Sequence, residues 1–262
     1  MEISKCLKRK YNPWLENLEN HSTTRIKRFI LIQHTDDVVD AMKRNKTLES
    51  LTVTVGYNDG LEGSVSNAIA DVLRVNSTLT VLNLSCNYIG DKGAVRISES
   101  LKVNSTLTSL NLNRNSIQED GASALADVLK VNTTLTSLDL SFNDIKDQGA
   151  IAIAHSLKEN TTLESLDLSC NQLKGEGAIA IADAIKVNTT LKSLSLSANK
   201  FTEKGAITLV DSLKLNTALT SLDLSKTYDI KEQRGIDISD LLKVNSTLTM
   251  LNLSSNYMKE EG

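Results

Sequence analysis

The sequence predicts a curved α/β solenoid, a horseshoe with a parallel β-sheet on its concave face and α-helices on its convex face. A unit of about 28 residues recurs along most of the 262-residue chain, as in stacked repeat arrays. Within each unit, the spacing of apolar residues changes once from the alternation of a strand to the stripe of a helix. The single proline and the 3% aromatic content agree with a core built from small aliphatic side chains.

Residues 1–44 lie outside the repeat and are predicted to form an N-terminal capping segment of helix, strand and helix. Asn12-Pro13-Trp14 predicts a helix start, and residues 25–33 (RIKRFILIQ) are the most strand-like run of the segment. Thr35 is the predicted N-cap of a helix that ends near Arg44. The side chains expected to cover the apolar end of the first repeat are Trp14, Phe29 and Ile30.

Residues 45–262 are predicted to contain seven complete units and a truncated eighth. One unit has too few apolar side chains to close a core, so neighbouring units must bury a continuous core between them. Each unit opens with an asparagine. These asparagines are Asn45, Asn76, Asn104, Asn132, Asn160, Asn188, Asn216 and Asn245.

The strand opens each unit, and a loop follows it. In the unit that begins at Asn132, Leu138 and Leu140 alternate as the buried face of a short strand. A second asparagine follows the strand, and its buried amide is expected to satisfy backbone groups where the chain leaves the sheet. This loop ladder comprises Asn87, Asn115, Asn143, Asn171 and Asn199.

The helix and a turn complete the unit. Ala150, Ile153, Ala154 and Leu157 recur at i, i+3, i+4 and i+7, the inward stripe of a helix. Asn160 is expected to end that helix in the left-handed conformation, which asparagine tolerates. On the outer helix face an acid precedes a lysine by three residues in most units, which predicts weak surface ion pairs.

The pattern L-x-x-L-x-L-x-x-N-x-I, read from Leu135 to Ile145, resembles the leucine-rich repeats of the ribonuclease-inhibitor type, and the resemblance covers residues 45–262. That family includes ribonuclease inhibitor, Ran GTPase-activating proteins, tropomodulin-like actin cappers and the sensor arms of NOD-like receptors. The resemblance implies a horseshoe that binds a protein partner. The repeats look most like the receptor-type arrays, which implies a sensor or scaffold role in an innate-immune-type receptor or an effector.

The net charge and the absence of catalytic motifs reduce the classes of function that we expect for this chain. The formal net charge of −3 gives no drive toward nucleic acid or an anionic membrane. No phosphate-binding, metal-binding or nucleophile motif is present, so we expect neither an enzyme nor a cofactor. Because the sequence shows no signal peptide or membrane span, we expect a cytoplasmic protein. Cys86 and Cys170 lie three units apart, too far for a disulfide, and are interpreted as small apolar filler.

The exposed strand positions form the first candidate binding surface. One stripe along the concave face contains Asn111, Asp139, Asp167 and Asp223. Asp139 and Asp167 are predicted on neighbouring strands, where their carboxylates repel unless a cation lies between them. A basic patch on a protein partner would supply that cation. Acid/base catalysis is the weaker interpretation, because no histidine or pocket wall is predicted nearby.

A rim beside the strand exits is the second candidate surface. Arginine and aromatic side chains dominate binding hot spots, and on this chain they are concentrated where the strands end. Arg114, Phe142 and Tyr88 are the principal candidates. The remaining residues assigned to this rim are Lys226, Phe201, Tyr228 and Tyr257.

Two alternatives stay open from the residues alone. Arg114 could serve a GTPase-activating protein resembling the Ran type, as the arginine that stabilises transition-state charge; a single-turnover GTP hydrolysis assay tests this. The chain could also form a homodimer through its C-terminal end, where Leu248, Leu251 and Leu253 are predicted to lack helical cover.

Seven unit starts match the glycosylation triplet N-x-[ST], but the same asparagines are expected to serve the helix-to-strand turn.

Overall fold

A computed structural model of the chain describes residues 26–31, 36–55, 64–227 and 239–256. Within these residues, nine strands form one parallel sheet in sequence order, as the repeat predicts. The strands are β1 Ile26–Leu31, β2 Ser50–Val55, β3 Val81–Asn83, β4 Ser109–Asn111, β5 Ser137–Asp139, β6 Ser165–Asp167, β7 Ser193–Ser195, β8 Ser221–Asp223 and β9 Met250–Asn252.

A helix connects most pairs of neighbouring strands. The helices are α1 Asp36–Arg44, α2 Ser64–Val75, α3 Gly90–Leu101, α4 Glu119–Leu129, α5 Lys146–Leu157, α6 Gly175–Ile185 and α7 Glu203–Leu215, and residues 239–244 are also helical. Each of the helices α1 to α6 packs against the next. Because strands are about 4.8 Å apart and packed helices 8–10 Å apart, the array curves with the sheet inside.

The core lies between the sheet and the helices. Leu138 and Leu140 of the strand segment are at most 2% exposed, and Ala150, Ile153 and Leu157 of α5 are fully buried. The predicted strand alternation and helical stripe are therefore confirmed in this unit. The same positions are buried in the neighbouring units, so the core runs continuously from Ala41 to Leu241.

The N-terminal segment continues the array. Strand β1 pairs in parallel with β2, from Ile26 opposite Ser50 to Leu31 opposite Val55. Helix α1 packs against α2, and Lys43 Nζ lies 3.4 Å from the Asp71 carboxylate. The predicted helix at Pro13, the N-cap Thr35 and the side chains of Trp14, Phe29 and Ile30 lie outside what the structure describes, so the capping role of residues 1–44 stays a prediction.

The unit-start asparagines turn the chain differently from the prediction. The predicted left-handed helix stop is wrong, since the positive-φ residues of the described chain include none of these asparagines. Instead, Asn132 Oδ1 accepts hydrogen bonds from the backbone N–H groups of Thr134 and Leu135, at 3.0 and 2.8 Å. Its Nδ2 donates to the carbonyl of Leu101, at the end of α3, and to that of Asn104, at the start of the preceding unit, at 2.7 and 3.1 Å. The side chain, rather than the backbone conformation, makes the turn, and it occupies the nitrogen that glycosylation would modify.

The loop asparagines form the predicted buried ladder. Asn143 Nδ2 donates to the carbonyls of Leu112 and Leu140, at 3.0 and 2.9 Å. Its Oδ1 accepts from the backbone N–H groups of Asn115 and Ile117, both at 3.0 Å. Each amide thus ties its unit to the preceding one, as expected for polar groups buried without water.

The ladder changes at the seventh unit. Thr227 stands in place of the asparagine, and it is 5% exposed. Its hydroxyl donates to the carbonyl of Leu224, at 2.9 Å, and its backbone N–H donates to Asn256 Oδ1, at 2.8 Å. Threonine therefore keeps the link to the following unit but lacks the amide that would reach back to the unit before.

Two aspartates cap helices that belong to the following unit. Asp91 Oδ1 accepts from the backbone N–H groups of Gln118 and Gly121, at 2.7 and 2.9 Å. Asp147 Oδ1 accepts from those of Lys174 and Gly177, at 2.7 and 3.0 Å. These carboxylates satisfy N–H groups that a helix start leaves unpaired, and the caps on α4 and α6 therefore come from the neighbouring unit.

The outer helix faces carry the predicted ion pairs in three units. Lys130, Lys214 and Lys243 each lie 2.9 Å from the aspartate three residues earlier. The hydrogen bond from Lys130 to Asp127 raises the pKa of that lysine. Such exposed pairs add little stability.

Candidate protein-binding face

The sheet aligns the predicted polar stripe across neighbouring strands. Asn111 of β4 is in register with Asp139 of β5, and Asp139 with Asp167 of β6. Asp223 of β8 lies two strands farther along the same stripe, and Ser195 of β7 separates it from Asp167. All five side chains are half-buried on the concave face. The structure therefore brings four of the predicted site residues onto one stripe.

Each stripe carboxylate is also held by its own strand end. Asp139 Oδ1 accepts hydrogen bonds from the backbone N–H and the hydroxyl of Ser141, at 2.9 and 2.5 Å. Asp167 Oδ1 accepts from the same two groups of Ser169, at 2.8 and 2.6 Å. These bonds all go to Oδ1. The aspartates therefore terminate the strands, a local role that the sequence analysis did not assign to them.

The surroundings of Asp167 disfavour the ionised form of its carboxyl group. Burial is the largest effect and raises the pKa of this carboxyl, while the two hydrogen bonds from Ser169 lower it. The charges of Asp139 and Asp223 raise it further, and the net direction is upward. A cation placed over the stripe would lower the free energy of all three carboxylates.

A row of left-handed residues forms the rim. In each of the second to eighth units, one residue has a positive φ where the chain leaves the strand. From Cys86 to Lys226, the backbone N–H of this residue donates to a carbonyl of the following unit. For Arg114 and Phe142 these bonds go to Ser141 and Ser169, at 3.1 and 2.9 Å. This left-handed row comprises Cys86, Arg114, Phe142, Cys170, Ala198, Lys226 and Ser255, with φ between 52° and 60°.

The best-defined feature of the rim is a cation–π pair. The Arg114 guanidinium carbon lies 4.2 Å from the centroid of the Phe142 ring. Phe142 is nevertheless 45% exposed, so the pair presents both a charge and an apolar ring edge to solvent. Arg114 and Phe142 each follow a stripe residue by three positions, so the pair lies beside Asn111 and Asp139.

The other aromatic residues predicted for the rim differ in their exposure. Phe201 is only 5% exposed and belongs to the core, so its assignment to the rim is wrong. Its repeat position is that of Ile145 and Leu173, and comparing the units at this position would have indicated burial. Tyr88 is 58% exposed, as predicted, but it belongs to the unit that precedes the unit of Arg114. Tyr228 and Tyr257 lie outside the described residues.

The two cysteines belong to the rim rather than to the core. Cys86 is exposed and Cys170 is partly exposed, so the interpretation as buried filler is wrong. Both occupy the left-handed row that also contains Arg114 and Phe142. Partial burial raises the pKa of the Cys170 thiol.

None of the helices in the described ranges is both long enough and apolar enough to span a bilayer. No group of three or more histidine, cysteine, aspartate or glutamate side chains is placed to hold a metal ion in the same ranges.

Comparison with known proteins identifies the repeat. Five stretches match a family model described as "Leucine Rich repeat": residues 75–98, 103–126, 131–154, 159–182 and 187–210. Human and mouse leiomodin-3 are each 34% identical to this chain over 89 residues, or 34% of its length. The matched part is 15% of the human protein and 14% of the mouse protein, so the chain spans a small fraction of these relatives.

Solved structures share the architecture. The leucine-rich repeat-containing protein LegL7 from Legionella pneumophila matches with a TM-score of 0.55 and 21% identity, over 87% of this chain and 73% of that one. A structure titled leiomodin-1 actin-binding site 2 matches with a TM-score of 0.46 and 23% identity, over 79% of this chain and 96% of that one. At this level of identity, the match to LegL7 establishes a common fold.

Proposed function

Because the chain is a leucine-rich repeat protein, we propose that it is a non-catalytic interaction module that binds a protein partner through the concave face and the left-handed row. The observation that carries the proposal is the pairing of two unlike surfaces side by side. A stripe of mutually repelling carboxylates lies next to an exposed arginine–phenylalanine pair. A protein surface with a basic residue and an apolar side chain a few ångströms apart would satisfy both.

The face has the properties of a preformed binding surface. Its backbone is fixed by the sheet and by two asparagine ladders, so little ordering is required when a partner binds. Arginine and aromatic side chains are the usual hot spots, and the Arg114–Phe142 pair supplies both at one place. Asp139 and Asp167 supply charge, which favours specificity and the rate of association.

We also propose a finer role, in which the arc is the sensor or scaffold part of a receptor or an effector. Support comes from the shared fold with LegL7 and from the resemblance of the repeats to receptor-type arrays. Fold alone leaves the function open. Sequencing the parent gene on both sides of this chain tests the role, because a nucleotide-binding module joined to the array is expected for a receptor.

Affinity capture tests the binding face. Wild-type protein and the Arg114→Ala/Phe142→Ala variant are immobilised and exposed to extract from the source cells, and captured proteins are quantified. A matched control, Val95→Ala/Ile207→Ala, removes two exposed apolar side chains from the outer helices. We expect a partner that the wild type and the control retain and the rim variant loses. A partner retained equally by all three contradicts the proposed face.

A further inference from the structure

A row of exposed apolar residues runs along the side of the arc where each helix ends and the next strand approaches. One residue per unit contributes, directly before the unit-start asparagine, and the exposed fractions lie between 55% and 67%. This edge row comprises Val75, Val103, Val131, Val187, Leu215 and Val244. It lies on the far side of the sheet from the left-handed row, so the proposed binding face does not explain it.

The turn itself does not require an apolar residue at this position. Val131 N–H donates to the carbonyl of Val128, at 3.0 Å, and closes the last helical turn. Glu159 occupies the same position in the middle unit and makes the same bond to Ser156, at 3.1 Å. Since a charged residue serves the backbone equally well, the turn does not explain why six units carry an exposed apolar residue at this position.

Glu159 interrupts the edge row. Within residues 64–256, three apolar residues precede it and three follow it, one per unit. The middle unit is also unusual in charge. The other units carry an acid three residues before the lysine or arginine that ends the helix, whereas Lys158 has His155 at that place. Lys158 has no carboxylate partner within the described part of the chain.

We propose that a second copy of this chain covers the edge row, in an antiparallel dimer whose two-fold axis passes through the middle unit at Glu159. When one copy is rotated by 180° about the radius of the arc that passes through its middle unit, its edge row faces the edge row of the other copy. The two arcs then have the same curvature along the contact. Val131 of one copy then faces Val187 of the other, Val103 faces Leu215, and Val75 faces Val244. This is the self-complementary pattern that a two-fold interface requires.

The charges at the centre agree with this arrangement. Glu159 interacts electrostatically with Lys130 of its own copy, and the axis brings two Glu159 carboxylates together, which repel each other. The same axis brings two Lys158 side chains beside them, and these lysines lack an acid of their own helix. Each Lys158 can reach Glu159 of the other copy, which closes a ring of alternating charges. An anionic membrane offers no such cation to Glu159.

The contact area is sufficient for a stable dimer. Seven helices spaced about 10 Å apart give a strip about 60 Å long, and one helix is about 12 Å wide. Each copy would therefore bury about 700 Å², close to the roughly 800 Å² per partner of a standard interface. The neighbouring unit positions are serine or threonine, such as Ser105 and Thr133, and these small side chains permit close approach. Both concave faces stay open in such a dimer.

Sedimentation velocity across a concentration series tests the proposal on the full chain. We expect a dimer whose dissociation constant rises about tenfold or more for Glu159→Lys and for Lys158→Glu, because each change places four like charges at the axis. The double variant Lys158→Glu/Glu159→Lys restores alternating charges, so we expect it to dimerise within a few-fold of the wild type. Val103→Asp should abolish the dimer.

Matched controls separate this dimer from other associations. Val95→Asp changes an exposed valine on the outer face of α3, the helix that precedes Val103, and should leave the dimer intact. Circular dichroism of each variant checks that the fold is retained. A monomer at every concentration overturns the proposal. So does a dimer that survives Val103→Asp but is lost in Met250→Asp, which would place self-association at β9. Binding of monomers to phosphatidylserine vesicles that requires Val103 would assign the row to a membrane instead.

Discussion

Asparagine holds this molecule together through its side-chain amide. At the unit starts and in the loops, one amide accepts from the backbone of its own or the preceding unit and donates to carbonyls of its own unit or of the units before it. Asn199 is representative: its Oδ1 accepts from Asn171 and Leu173, both at 3.0 Å, and its Nδ2 donates to Leu168 and Leu196. Aspartate lacks the Nδ2 donor, and leucine lacks both the Nδ2 donor and the Oδ1 acceptor. This explains why the position is so nearly constant along the chain.

We expect Asn199→Ala to lower the free energy of unfolding by about 3 kcal/mol, because buried N–H and C=O groups lose their partners. Urea denaturation followed by circular dichroism measures the change. The adjacent variant Lys200→Ala removes an exposed side chain and should stay within about 0.5 kcal/mol of the wild type. A loss as small for Asn199→Ala as for Lys200→Ala would contradict the structural role of the ladder.

The charge of Asp167 is expected to lower the stability of the fold, although it contributes to the proposed binding of a partner. Its pKa is raised in the folded state, chiefly by burial and also by neighbouring carboxylates, so its ionisation disfavours folding. We expect Asp167→Asn to be more stable than the wild type at neutral pH. The gain should vanish as the pH falls below the ordinary aspartate pKa, where both proteins are uncharged at this position.

Thermal denaturation of both proteins between pH 3 and pH 8 measures this difference. Asp183→Asn, on the exposed outer face, is the matched control and should show no such pH dependence. A wild type that is more stable than Asp167→Asn at neutral pH would mean that a favourable partner for the carboxylate exists within the chain.

The sequence predicted the ladders but misplaced several single residues. The loop amides were predictable because the same residue recurs at the same position in five units. Phe201 and the two cysteines were judged by residue type, although their repeat positions define their surroundings. The sequence predicted Arg114 and Phe142 as binding residues but did not predict the cation–π contact between them. Both residues were candidates, but their contact depends on the left-handed backbone that turns both side chains to one edge.

Helix starts couple neighbouring units at the level of elements. Helices α4 and α6 receive their caps from Asp91 and Asp147, about thirty residues earlier in the chain. Local capping patterns are searched within a few residues, so the sequence analysis missed these caps. Only α7 is capped by its own N-cap side chain, among the helices whose caps are described: Thr202 accepts from Gly205 N–H at 3.3 Å.

We expect Asp147→Ala to destabilise the start of α6 by about 1–2 kcal/mol, because two helix N–H groups lose a charged acceptor. Amide hydrogen exchange at Lys174 and Gly177 reports the effect directly, and both amides should exchange faster. The neighbouring variant Gln148→Ala alters an exposed residue of the same helix turn. If the two variants gave equal exchange rates at these amides, the cross-unit cap would contribute nothing.

The first turns of the helices also pack too closely for a methyl group. A Cβ added at Gly205 of α7 would lie 2.8 Å from Ala178 Cβ of α6. Gly→Ala inside a helix normally stabilises by about 1 kcal/mol. Here we expect Gly205→Ala to destabilise by about 1–3 kcal/mol instead, because overpacking outweighs helix propensity.

A double-mutant cycle with Ala178→Gly tests the cause. Removing the facing methyl should relieve the clash, so the double variant is expected to be more stable than the sum of the single effects predicts. Chemical denaturation of the four proteins gives the coupling energy. Strictly additive effects would show that the close contact between α6 and α7 is not the source of the destabilisation.

The order and type of the elements were predictable from the sequence because a unit repeated seven times averages out local ambiguity. Each strand, loop and helix signal occurs several times in the same order. Contacts between units were less predictable. The turn at the unit starts follows from side-chain hydrogen bonds to earlier units, which outweigh the tendency of asparagine to adopt positive φ.

The whole molecule is an arc with three distinct surfaces. The concave stripe and the left-handed row are the proposed partner site, the outer helix faces carry paired charges, and the edge row is the proposed dimer contact. Stability is spread over the interfaces between units, so surface changes on one side should leave the other sides folded. This separation allows each surface to be tested by substitution without unfolding the array.

The most direct test of the central claim is the affinity of a captured partner for two charge-reversal variants. Asp139→Lys/Asp167→Lys reverses two charges on the concave stripe, and Asp183→Lys/Asp211→Lys reverses two on the exposed outer helices with the same change in net charge. Calorimetric titration should show affinity lost for the concave variant and kept for the outer variant, and circular dichroism checks that both variants are folded. Equal affinity for both variants would contradict binding at the concave face.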